Sequence, residues 1–166
     1  MNNILVYPSG KLIFKEKEYR CVIGKNGITD DKKEGDWATP IGCFPIREIF
    51  YRKDKIDKIN SVFPIRELNE DDGWCDDLKD GKYNQFVKLP YKASHEELWR
   101  EDNLYDIIVI LGYNDDPPVP GKGSAVFMHV ARPTYSPTAG CIALAASDLL
   151  EIIDNLEEKS KVCVES

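Results

Sequence analysis

Histidine is scarce in this chain: its 166 residues include two, His95 and His129, 34 positions apart. That separation excludes the H-x₃₋₅-H element of zinc sites. The five cysteines, Cys21, Cys43, Cys75, Cys141 and Cys163, contain no C-x-x-C pair. No metal and no cofactor is expected. An odd, widely spaced cysteine set is not a disulfide framework either, and a chain of this length buries about 70% of its unfolded surface without needing cross-links. Basic charge is also short. Lys and Arg total 22 against 29 Asp and Glu, a net −7, which excludes the basic face of a nucleic-acid binder. No apolar run approaches the roughly 20 residues of a membrane span. The N-terminus, Met1-Asn2-Asn3-Ile4-Leu5-Val6-Tyr7, has neither the basic region nor the cleavage site of a secretory signal, so a cytoplasmic location stays open.

What is present reads as one α+β domain over residues 1–166, mainly β. Ile4-Leu5-Val6-Tyr7 and Lys11-Leu12-Ile13-Phe14 flank a Pro8-Ser9-Gly10 turn, and Tyr19-Arg20-Cys21-Val22-Ile23 extends the meander. Pro40 and Pro45 confine Thr39–Ile46 to a rigid loop feeding a short strand. Residues 52–82, rich in Asp and Glu, read as solvated surface, with Trp74 the exception. Ser94-His95-Glu96-Glu97 has the S-x-x-E pattern of a capping box, which predicts a short helix from His95 to about Glu101. Tyr105 to Leu111, with the β-branched run Ile107–Leu111 at its heart, reads as a buried central strand. Ala125–Val130 forms another. Ser147 is an N-cap candidate for a helix carrying Leu149, Ile152, Ile153 and Leu156, and Lys161–Val164 is a candidate closing strand.

The chemistry concentrates at Ser136-Pro137-Thr138-Ala139-Gly140-Cys141-Ile142, where Cys141 falls 12 residues after His129. A cysteine nucleophile needs a base, a group to orient that base, and donors for the oxyanion formed on attack at a carbonyl. His129 at a strand end can be the base, and Gly140 lets the backbone amides turn toward a substrate. The plain alternative is a small buried hydrophobe beside a core histidine. One of two histidines, a Gly-Cys pair and a Pro/Thr/Ser loop within so short a stretch argue against inert packing.

These residues, with Gly24-Lys25-Asn26-Gly27, Thr39-Pro40-Ile41-Gly42, Gly73-Trp74-Cys75-Asp76-Asp77 and Gly121-Lys122-Gly123-Ser124, resemble the L,D-transpeptidase catalytic domain, the YkuD domain, over nearly the whole chain. The resemblance implies a mixed β-sheet sandwich with a few short helices. It also implies acyl transfer on peptidoglycan stem peptides: Cys141 attacks the carbonyl of the third residue, diaminopimelate, and expels the D-amino acid at position four. His129, oriented by a backbone carbonyl, is the base, and the amides of Gly140 and Cys141 form the oxyanion hole. Trp74, Asp76, Tyr83, Asn84, His95, Arg132 and Thr138 are the implied substrate contacts. Two positions depart from the family pattern. Ala139 stands where many members have His, and Ala143 where many have Arg, with Arg132 a possible substitute anion anchor. The partner implied is a stem peptide met by a monomer in the cell envelope. Other readings stay open: an L,D-carboxypeptidase or murein peptide hydrolase with the same Cys/His pair, a non-catalytic peptidoglycan-binding module, and a redox-sensing thiol protein.

Overall fold

A computed structural model describes residues 2–166. The meander forms as expected: β1 (Ile4–Val6), β2 (Lys11–Phe14) and β3 (Lys17–Val22), its first turn closed by the Gly10 amide on the Tyr7 carbonyl at 3.0 Å. Gly10 has φ +86°, a value that favours glycine. There follow β4 (Ile28–Thr29), β5 (Thr39–Pro40), β6 (Gly42–Tyr51), β7 (Ile65–Glu67), β8 (Asp72–Cys75), β9 (Gln85–Lys88), β10 (His95–Glu97), β11 (Ile107–Leu111), β12 (Phe127–Val130) and β13 (Ile142–Leu144). The helix α1 (Ala146–Asp154) and β14 (Lys161–Val164) complete the chain.

The main sheet closes on itself. Its order is β11-β12-β13-β3-β2-β1-β14-β6, and β6 returns to pair with β11, while β7 adds to β6 alone. Residues on successive positions of β11 therefore serve two cores. Ile107, Val109 and Leu111 join the larger cluster with Leu12, Met128, Ile142 and the helix residues Leu149, Ile152 and Ile153. Ile108 and Ile110 join a second cluster with Phe50, Trp74, Leu98, Tyr105 and Phe127. The second cluster glues the three-stranded sheet β10-β8-β9 onto the ring. No helix of the described residues is long and apolar enough to cross a membrane.

Four local expectations are corrected. The segment after Thr39 is not a short peripheral strand: β6 runs ten residues between β14 and β11. Pro45 is tolerated because it sits just beyond the last β11 pair, Leu111 with Ile46. There its carbonyl still accepts the Gly112 amide at 2.7 Å. The acidic region is not all solvated surface, since every residue of β8 is buried, including Asp72, whose carboxylate accepts from Lys88 at 2.5 Å and from the Asn69 amide at 2.8 Å. The 95–101 helix is absent. His95–Glu97 pairs antiparallel with β8 instead, and the Ser94 hydroxyl donates to Asp76 at 2.6 Å rather than capping a helix. Ser147 lies inside α1, whose N-cap is Ala145 without a side-chain cap bond.

The cysteines give the remaining correction. Cys43 of β6 and Cys163 of β14 are directly opposed in the strand register and form a disulfide across 120 residues of chain. Cys21, Cys75 and Cys141 keep their thiols. Spacing in sequence could not show this pairing, because it arises only when the last strand inserts between β1 and β6. Cross-linking so long a loop restricts the unfolded chain, and a Cys43→Ser/Cys163→Ser variant is expected to lose about 2–5 kcal/mol of unfolding free energy. Urea titration of both proteins, oxidised and reduced, measures it: reduction should lower wild type to the level of the variant and leave the variant unchanged.

Candidate active site

Phe127 and His129 point from β12 to the side opposite the larger core, and Ala143 of β13 is paired with His129 in register. His129 and Ala143 floor a cavity of about 430 Å³ between the ring and the small sheet, with Phe127 buried in the second core. Cys141, His129, Gly140, Asp76, Arg132 and Thr138, six of the residues expected at the site, line it. Trp74, Tyr83, Asn84 and His95 do not. Trp74 is buried with its indole edge-on to Phe127, ring centroids 5.0 Å apart, and donates to Asn84 Oδ1 at 2.9 Å. Asn84 Oδ1 also accepts the Ala125 amide at 3.0 Å. Tyr83 donates to Glu34 at 2.6 Å. His95 bonds the Ala93 carbonyl through Nδ1 at 2.8 Å, one position out of phase with the cavity-facing Glu96. These four build the wall behind the site.

The cysteine loop is held by backbone from elsewhere in the chain. Lys25 donates its amide to the Thr138 carbonyl at 2.9 Å, and the Thr138 amide donates to Ile23 at 3.0 Å. The buried Thr39 hydroxyl accepts the Gly24 amide at 2.9 Å and donates to the Gly140 carbonyl at 2.8 Å. A Cβ on Gly140, whose φ is +138°, would meet the Ala38 carbonyl at 2.8 Å, so only glycine fits without displacement. Within the loop Thr138 Oγ1 accepts the Gly140 amide at 3.0 Å and donates to the Cys141 carbonyl at 2.6 Å. The Gly140 amide, expected in an oxyanion hole, is thus engaged by Thr138 in this state.

The Cys141 thiol donates to the Ala125 carbonyl at 3.1 Å, and the Phe127 amide donates to the sulfur at 3.4 Å. Burial pushes this thiol up to about 12, with the Glu96 charge adding to the rise and the Phe127 amide and Lys32 opposing it. His129 Nδ1 faces the Val130 carbonyl at 2.9 Å. A carbonyl only accepts, so Nδ1 carries the proton and Nε2 keeps its lone pair. Burial lowers the imidazole to about 4 against the support of that carbonyl, and the Arg100 and Arg132 charges lower it further. Thiol and imidazole are therefore both neutral near pH 7.

Sequence reading missed several lining residues. Lys32, Glu34 and Trp37 come from a loop that reads as a charged connection, Glu96 and Arg100 from a segment read as helix, and Tyr105 from the start of the segment read as a buried strand. Tyr105 stacks edge-on against His129, centroids 5.2 Å apart, and donates to the Glu96 carboxylate. Burial raises Glu96, opposed by Tyr105 and Arg100. Arg100 is forked onto Asp102 at 3.0 and 2.5 Å, and Arg132 approaches the same carboxylate at 3.7 Å. Arg100 and Arg132 thus lower His129 against Asp102, and Glu96 raises Cys141 against Lys32, a partial division of charge across the cavity. Only β-strand alternation through Glu96 could have indicated one of these residues, and the capping-box pattern masked it.

The family model for YkuD, the L,D-transpeptidase catalytic domain, matches residues 2–164. The chain belongs to this family. No curated protein matches it. Among solved structures it is similar to the helical cell shape determining protein Pgp2 of Campylobacter jejuni in two forms. A point mutant superposes with TM-score 0.45 and the unmutated protein with 0.41, each at 16% identity. Both alignments cover 99% of this chain and 47% of Pgp2, so the chain spans about half the length of the structures it matches.

For this L,D-transpeptidase-family domain, the depressed imidazole has a measurable consequence. Below its ordinary 6.5 the unfolded chain takes up a proton that folded His129 refuses until about pH 4. Folded protein is expected to lose stability progressively over that window through this group. A His129→Gln variant should lose less over the same window. NMR of the imidazole nitrogens checks the assignment directly: His129 should stay neutral at pH 5, with its proton on Nδ1.

Proposed function

We propose that this domain is a cysteine-dependent acyltransferase on peptidoglycan stem peptides, an L,D-transpeptidase. The observation that carries the reading is the presence, in the lining of one cavity, of the Cys141 thiol and an imidazole whose Nδ1 is tied to a carbonyl, leaving Nε2 its lone pair. In the reaction the thiol leaves the Ala125 carbonyl for His129. The imidazole takes the thiol proton as sulfur bonds to the carbonyl carbon of the third residue. Collapse of the tetrahedral intermediate breaks the C–N bond, and His129 returns that proton to the leaving amine. The thioester then passes to an incoming amine, whose proton goes to the imidazole and on to the departing sulfur. Neutral partners suit this sequence, because the charge separation occurs only during reaction.

The charge division supports an orientation. The leaving amine must lie against His129, and a free D-amino acid carries its carboxylate one carbon from that amine. Arg100 and Arg132, the cations acting on His129, are placed to hold that carboxylate. Glu34, Asp76 and Glu96 on the cavity wall suit the ammonium of a diaminopimelate side chain. The disulfide fits folding in an oxidising compartment such as the cell envelope.

The test is mass spectrometry of purified protein incubated with disaccharide tetrapeptide. Wild type should release the terminal D-amino acid and form 3→3 dimers, and Cys141→Ala should lose about 10³-fold or more of this activity. An equally active Cys141→Ala would overturn the proposal, and tripeptide without dimer would assign the carboxypeptidase instead. A second comparison isolates the arginines. A tetrapeptide with an amidated C-terminus should react at least about tenfold more slowly than the free acid. Arg100→Gln should shrink that ratio by slowing the acid alone.

A further inference from the structure

A buried lysine stands beside the nucleophile loop. Lys32 is 8% exposed and belongs to the connection between β4 and β5. Its aliphatic stem crosses Gly123, where an added Cβ would meet Cγ at 3.1 Å and Cε at 3.2 Å. Its ammonium ends at Gly140, 3.5 Å from where a Cβ there would be. Both glycines have positive φ, +110° and +138°, and leave room for no side chain beside the lysine. The channel is held shut on the far side: the Glu34 amide donates to the Gly121 carbonyl at 2.9 Å, and the Glu34 carboxylate accepts from Tyr83 at 2.6 Å and Ser124 at 2.7 Å. The lysine head has two protein partners among the described residues, the Asp36 carboxylate and the Lys33 carbonyl at 3.1 Å. A solvated ammonium would not require this enclosure.

We propose that Lys32 is a fixed positive charge behind the Gly140–Cys141 backbone, a positioning residue that stabilises the Cys141 thiolate and the oxyanion formed on attack. The oxyanion part rests on the acyltransferase reading; the thiolate part does not. The charge is needed on this side because the Gly140 amide is engaged by Thr138 and position 139 is alanine. Asp36 sets how much of it is felt. Burial would raise that carboxyl, yet Lys32 and the amides of Lys33 and Ala38 hold it below the usual range, so it stays ionised and offsets part of the lysine. The other charged or titratable groups around the sulfur are Glu96 from β10, Tyr105 before β11 and His129 from β12, with Glu34, Asp76, Arg100 and Arg132 on the cavity wall, the two arginines acting on His129. Glu96 acts against the thiolate, which leaves Lys32 as the cation acting for it.

Alkylation of Cys141 by iodoacetamide reads the thiolate without any peptide substrate, so its result is separate from that of the acyl-transfer assay. Cys21 and Cys75 are buried, and peptide mapping isolates the Cys141 adduct. Between pH 8 and 10, Lys32→Met is expected to be alkylated about tenfold more slowly than wild type at each pH, the effect of losing a nearby opposite charge. Asp36→Asn should change the rate in the other direction, about threefold or more faster, by releasing the lysine from its counter-charge. A folded Lys32→Met with the wild-type rate overturns the proposal. If Lys32→Met fails to give a cooperative thermal transition, Asp36→Asn decides, and an unchanged or slower rate there overturns it. A purely structural lysine predicts no opposite-signed pair.

Discussion

One hydroxyl ties the Cys141 loop to the rest of the molecule. Thr39 Oγ1, fully buried, accepts from the Gly24 amide and donates to the Gly140 carbonyl, so three segments far apart in sequence share one oxygen atom. The close approach it spans is possible because Gly24 and Gly140 have no side chains: a Cβ on Gly24 would lie 2.5 Å from the Trp37 carbonyl, and one on Gly140 2.8 Å from that of Ala38. Replacing the hydroxyl by an apolar group leaves a buried donor and a buried acceptor without partners, a cost of about 1–3 kcal/mol for each group. The Thr-Pro-x-Gly element is therefore a structural clamp, and the site's geometry is inherited from it. Pro40 completes the short parallel pairing with β4, which delivers residues 30–36 to the rim of the cavity.

The second constraint is the period of a strand. In β11, β12 and β13 alternate side chains enter the ring, and the others face the small sheet, so His129 and Ala143 occupy positions where a hydrophobic residue would otherwise join the second core. A base placed in that way is necessarily buried, and burial is what keeps both it and the thiol neutral. The same low-dielectric surroundings make each nearby charge count more than it would in water. Lys32, with 7% of its side chain exposed, escapes the hydration that weakens the exposed pairs of Lys33 with Asp31 or Lys53 with Glu67, whereas Arg132 is exposed and its charge is screened as theirs are.

The parts legible in sequence are those set by local chemistry. The first hairpin, the Ile107–Leu111 strand and the Gly-Cys loop carry their own signals and form where expected, and the amphipathic helix forms with its start two residues earlier than the Ser147 cap would set it. The segments misread are those where a partner distant in sequence decides. Ser94–Glu97 has a sound helix-start pattern, but β8 presents an open edge to it and the ladder wins. Trp74 and Asn84 look like groove residues because polar and aromatic types are mixed there; they are instead a buried hydrogen-bonded pair that positions Ala125, the carbonyl on which the thiol rests. Cys43 and Cys163 become partners only through the register of β6 with β14.

Two alanines show how a motif can lose charged residues without leaving the site uncharged. Ala143 is paired with His129 in register and lines the cavity, and Ala139 lies beside Gly140 in its wall. Neither carries charge. Cations reach the same space from other elements: Arg100 after β10, Arg132 after β12, and Lys32 from the loop before β5. Each is paired to a carboxylate outside the motif, Asp102 for the arginines and Asp36 for the lysine. Such pairing fixes direction as well as charge, since a forked guanidinium held by Asp102 has few rotamers left to lose on binding an anion. A chain whose net charge is −7 thus collects cations in the cavity lined by Cys141, and the electrostatics of that cavity lie in side chains that no spacing around Cys141 would reveal.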